Sequence, residues 1–144
     1  MFALAPPPCT NAAARAAILA SRPLASLRLT IENGGGVDRL ICADVTHDGR
    51  RDLAATIFSG GTAGDTAWVV FRADGSRWRL VFRQLQAYKV GLFLRGGDLV
   101  ESQPIYRKND PNCCPTGGFF HRRFHWIGTR FKIVRAWTTK SFRP

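Results

Sequence analysis

The chain is short of acid. Ten Asp and Glu stand against 21 Lys and Arg in 144 residues, a formal charge of +11, so a partner, if charged, is expected to be anionic. No run approaches the ~20 apolar residues that a membrane-spanning helix needs. With three His and one Met, and no G-x-S-x-G, H-E-x-x-H or C-x-x-C pattern, the sequence presents no catalytic signature and no redox motif. No segment recurs, which excludes a repeat array. The start, Met1 to Cys9, lacks the charged and apolar regions of a signal peptide.

Aromatic groups are plentiful: ten Phe, four Trp and two Tyr. A chain of this length, with large apolar groups in nearly every segment, is expected to fold as one domain, 1–144, around a single core. Residues 1–8, rich in Pro, are expected as a linker or leader remnant. Thr10 and Asn11 before an Ala-rich run predict a capped helix within 9–22, ended by Pro23. The alternation over 27–31 predicts a first strand, and the Gly34–Gly36 breaker closes it.

From Val37 on, β-branched and aromatic runs alternate with Gly, Asp and Asn turns. Strands are predicted at 37–43, 53–58, 66–73, 77–84, 87–94, 98–106, 119–126 and 130–137, with hairpins at Asp74-Gly75, Gly96-Gly97 and Ile127-Gly128-Thr129. The fold class is α+β, mostly β: an N-terminal helix followed by an antiparallel β-meander, as a sandwich or an open barrel-like sheet. Residues 138–144 are expected as a flexible tail.

Between two of these strands lies Asp44-Val-Thr46-His-Asp48-Gly49-Arg50-Arg-Asp52. It sets oxygen side chains at loop positions one, three, five and nine, with Gly at six. Alternate side chains point inward, Gly permits the bend, and Arg50 offers its backbone carbonyl, which is the opening pattern of a calcium loop. Flanking strands and no Glu at position twelve exclude an EF-hand. The loop resembles the D-x-[DNST]-x-D-G-x-x-D loop of FG-GAP and VCBS repeats, and a single copy excludes a propeller built from one chain. A structural calcium ion is expected, bound weakly because His47, Arg50 and Arg51 bring positive charge. The plainer reading is a hairpin in which Asp44 and Asp52 cap backbone amides.

Four cysteines, Cys9, Cys42, Cys113 and Cys114, point to disulfides and an oxidising, extracytoplasmic compartment. Of three pairings, the one joining adjacent cysteines closes a small strained ring; the other two tie Cys9 and Cys42 to Cys113 and Cys114. Zinc held by Cys113, Cys114, His121 and His125 is the weaker alternative, since adjacent cysteines rarely share one tetrahedral ion. The exposed cations Arg72, Arg77, Arg79, Arg83, Arg122 and Arg123 are expected to form a face toward an anionic envelope polymer or lipid. A nucleic-acid module using Arg and aromatic residues, and a hydrolase using His121 or His125 with a nearby carboxylate, are the competing readings.

The segments Gly60-Gly-Thr-Ala-Gly-Asp65, Trp68-Val-Val-Phe71, Tyr88-Lys-Val-Gly-Leu92 and Asp110-Pro-Asn-Cys-Cys-Pro-Thr-Gly117, with a Trp126-x-Gly128 hairpin, resemble the LppP/LprE-type lipoproteins of bacterial cell envelopes. The resemblance covers about residues 37–137 and implies an envelope-associated, non-enzymatic domain. No lipobox precedes Cys9, and no catalytic residue carries over.

Overall fold

The computed structural model describes residues 4–144; Met1 to Ala3 of the expected linker lie outside the described residues. Thr10 starts the first helix, α1 (Asn11–Ala20): its backbone is extended and its hydroxyl accepts the Ala13 amide. Pro23 does not end the helical region. It lies in a 3₁₀ turn, Arg22–Leu24, where its fixed φ suits the first turn, and this leads into α2, Ala25–Glu32.

The strand expected at 27–31 is therefore a helix. Leu27 and Ile31 are four residues apart and both buried, while Leu29 between them is exposed. An i, i+4 pair fits a helix face as well as an alternating strand. Leu24, just upstream, extends the same apolar face, and Gly34 with φ +96° ends it. Burying Leu27 and Ile31 stabilises the helix by about 1.5–3 kcal/mol each.

Eight strands follow: β1 (Gly36–Ala43), β2 (Asp52–Phe58), β3 (Asp65–Asp74), β4 (Arg77–Gln84), β5 (Gly91–Arg95), β6 (Asp98–Pro104), β7 (Phe119–Trp126) and β8 (Phe131–Thr139). They form two antiparallel sheets in chain order, β1-β2-β3-β4 and β5-β6-β7-β8. Neither closes into a barrel. The strand expected to begin at 87 starts at Gly91. Before it the chain makes a turn in which Ala87, Lys89 and Val90 donate to Thr66, Ala63 and Asp65.

Side-chain parity assembles three layers. In β2 and β3, Leu53, Ala55, Ile57, Ala67, Val69 and Phe71 face the helices, with Ala14, Ile18 and Leu27. The alternate residues Ala54, Trp68 and Val70 face the second sheet, against Leu92, Leu99, Phe124 and Phe131. The first sheet is thus covered on both sides, which explains the unbroken apolar run Ala67–Phe71 of β3. The other side of the second sheet is more open, and β8 runs along its edge with residues 132–136 all exposed. The C-terminal residues, expected as a flexible tail, pack back: the Phe142 ring lies 5.6 Å from both Phe93 and Phe119 and fills the space above Gly91.

Candidate functional site

The loop between β1 and β2 brings its acids together. One carboxylate oxygen each from Asp44, Asp48 and Asp52 lies within 4.8 Å of the others. Every one of these carboxylates already accepts hydrogen bonds. Asp44 takes the amides of Asp48 (3.2 Å) and Gly49 (2.9 Å). Asp52, 1 % exposed, takes the amides of Val45 and Thr46 at 2.8 Å and the Thr46 hydroxyl at 3.0 Å. Asp48 takes the Arg50 amide on one oxygen and Arg72 Nε, at 2.9 Å, on the other.

Gly49, at φ +83°, supplies the sharp bend. Burial pushes the Asp52 carboxyl above its ordinary range in spite of its hydrogen bonds. Burial works the same way on Asp48, but the Arg50 amide and Arg72 outweigh it and hold that carboxyl low. The loop thus shows the capping of the plainer reading together with a converged acid trio. Arg72 holds one oxygen of Asp48, and the Thr46 hydroxyl is turned toward Asp52.

Cys9 and Cys42 are bonded, with their Cα atoms 6.0 Å apart, fastening the segment before α1 to β1. Cys113 and Cys114 are bonded to each other. This corrects the expectation that Cys9 and Cys42 join the late pair. Cys9 lies beside β2, where its sulfur is 4.0 Å from the Asp52 carbonyl. The late pair sits in an exposed loop beside Tyr88, Lys89 and Tyr106. Asp110 shapes that loop by accepting the amides of Arg107 and Thr116 and the Thr116 hydroxyl.

The zinc set of Cys113, Cys114, His121 and His125 does not assemble. Its cysteines are bonded to each other, and its histidines have other partners. His121 is fully buried, Nδ1 2.6 Å from Ser102 Oγ and Nε2 2.7 Å from Thr139 Oγ1, and burial lowers its pKa. His125 Nδ1 lies 2.7 Å from Asp98 Oδ1.

Of the six arginines expected on one face, Arg72 and Arg79 are cross-strand partners on the first sheet, while Arg122 and Arg123 lie on the second. Arg72 bonds Asp48 and lies over the Trp126 ring. Arg122 pairs with Glu101 and Arg123 with Asp98. Arg83 donates to the Pro23 carbonyl beside the helices. Arg77 and Arg79 are exposed on β4. A different basic surface emerges instead. A cavity of about 590 Å³ is walled by Arg50, Arg51, Trp78 and Pro6 to Pro8, with Trp78 Nε1 donating to the Pro8 carbonyl at 2.9 Å. The sequence places Arg50 and Arg51 only in the acidic loop, because their nearness to Trp78 depends on the register in which β2, β3 and β4 pair within one sheet.

No helix among the described residues is long and apolar enough to cross a membrane. Comparison with protein-family models, with curated proteins and with solved structures returned no match to this chain.

Proposed function

We propose that this chain is a disulfide-held, non-enzymatic domain of the cell envelope, working outside the cytoplasm, that binds an anionic polymer or lipid surface through the groove of Arg50 and Arg51. The observation that carries this reading is the groove itself: two exposed guanidinium groups beside an apolar wall of Trp78 and three prolines. Arginine matches carboxylate and phosphate geometry, and the apolar wall suits the uncharged part of such a ligand. The paired cysteines support the oxidising address.

Titration with phosphatidylglycerol vesicles and with a soluble anionic polysaccharide tests it. Binding is expected at low salt, falling as salt rises and weakening in the Arg50→Gln/Arg51→Gln double variant. A double variant that binds like the parent removes the groove from consideration. Tighter binding of single-stranded DNA than of either probe would favour a nucleic-acid module instead.

In the same reading the acidic loop takes a structural calcium ion on Asp44, Asp48 and Asp52, its affinity limited by the Arg72 contact. Millimolar calcium is expected to raise the melting temperature, and Asp48→Ala to abolish the rise. Identical melting curves with calcium and with chelator would sink the idea.

A further inference from the structure

Three side chains from separate segments meet on the far side of the same loop. His47 comes from the turn between β1 and β2, Asp98 from the first position of β6, and His125 from β7. His125 Nδ1 is 2.7 Å and His47 Nε2 3.8 Å from one and the same oxygen, Asp98 Oδ1. The two imidazole rings are 5.5 Å apart, and the three ligand atoms all lie within 4.8 Å of one another.

Asp98 is fixed from behind. Its second oxygen, Oδ2, accepts Arg123 Nε at 2.7 Å, and the residue is 6 % exposed. Burial opposes its charge, but the hydrogen bonds from His125 and Arg123 prevail and keep the carboxyl below its ordinary range. The strand register holds the pair too, since Leu99 and Phe124, the next residues along, are direct partners. Gly97 leaves room for the His47 ring: a Cβ there would stand 3.0 Å from the His47 Cε1.

A hydrogen-bonded charge cluster explains only part of this. One histidine and one arginine already serve both oxygens of Asp98. The His47 nitrogen, at 3.8 Å, is too distant for a hydrogen bond to Oδ1. A proton between His125 and Asp98 cannot also serve His47, whereas a cation placed among three ligand atoms can. Asp98 held by Arg123 matches the way ligating carboxylates are oriented by an outer partner.

We propose that His47, Asp98 and His125 form a binding site for a divalent transition-metal ion of the zinc class. Two imidazoles and one carboxylate are the donors such ions take, while calcium and magnesium prefer all-oxygen sets. Both histidine side chains are nearly half exposed, at 45 % and 44 %, so the remaining coordination positions face water. The ion would join the loop of the first sheet to the β5–β6 turn and β7 of the second.

The test is calorimetric titration of zinc chloride into the tag-free, oxidised chain, without reductant so that all four cysteines stay paired. Expected is one zinc per chain, retained in excess calcium. His47→Gln and His125→Gln should each raise the Kd by about tenfold or more, since even outer-shell changes reach that range. Circular dichroism and melting curves confirm that the variants fold. Cobalt added in place of zinc should give a visible absorption band in the parent that both variants lose. No zinc uptake by the folded parent, displacement of zinc by calcium, or unchanged affinity in both variants would overturn the proposal.

Discussion

Glu101 is a carboxylate between two sheets, 1 % exposed, and four donor nitrogens converge on it, one of them Gln103 Nε2 at 3.2 Å. Trp68 Nε1 reaches it at 2.7 Å from the first sheet, and Arg122 reaches it through Nε at 2.9 Å and Nη2 at 2.6 Å. Removing the acceptor leaves a buried indole N–H and a partly buried guanidinium without their partner. Glu101→Ala is therefore expected to cost about 3 kcal/mol, read as a lower urea midpoint at unchanged slope. A loss under 1 kcal/mol, about the value of a surface ion pair, would show that water replaces the carboxylate freely. The sequence marks Trp68 and Glu101 as strand residues but carries no sign that they meet, because residues 33 apart come together only through how the sheets stack. The same holds for His47, Asp98 and His125. By contrast, the oxygen positions of the acidic loop are local, and Asp44, Asp48 and Asp52 were legible from spacing alone.

At the scale of elements, local chemistry reads well where one conformation has a clear mechanism. Thr10 caps α1, and Gly75, Gly96 and Gly97 all take positive φ in the turns their dipeptides predicted. Legibility fails where two periods coincide: over 27–31 Leu27 and Ile31 suit an alternating strand and one helical face alike, and only the exposure of Leu29 separates the two. It fails again for the cysteines, whose pairing depends on which loops become neighbours. The two disulfides should differ in weight. Cys9–Cys42 closes a loop with a sequence separation of 33, so the Cys9→Ala/Cys42→Ala pair is expected to lower stability by about 2–4 kcal/mol. Cys113–Cys114 closes no loop beyond its own ring. Its alanine pair should leave the global transition within about 0.5 kcal/mol of the parent, as most exposed substitutions do. Equal losses from both pairs, measured by urea unfolding, would contradict the chain-entropy account.

The whole molecule has an acid pair whose titration should show in its stability curve. Asp65, on β3, is raised to about 6 by burial and by the neighbouring Asp38 carboxylate, against a hydrogen bond from Thr56. In the folded state Asp65 thus binds its proton more tightly than at the ordinary value of 3.8. Its contribution to stability is complete below that ordinary value and is lost as pH rises through about 6. Asp48 and Asp98, both held low, act in the opposite sense, with stability present above the ordinary value and lost as pH falls through their depressed ones. His121, whose pKa burial lowers, also loses stability as pH falls below its ordinary value of 6.5, while Asp52, raised by burial, acts with Asp65, so the Asp65 contribution is read as the difference between the parent and a variant. Asp65→Asn should flatten the decline toward neutral pH in urea midpoints, and a variant with the parent's pH dependence would remove Asp65 as its cause.

Each sheet pairs only consecutive strands, so each is built from one unbroken stretch of chain. A chain emerging N-terminus first, from a ribosome or a translocation pore, can pair β1 to β4 and close the helix-side core before any of β5 to β8 has appeared. The surface around Trp68 and Val70 then waits for its cover. During that interval the nascent half carries an exposed apolar sheet face, the stage at which a chaperone has most to hold and a crowded neighbour most to stick to.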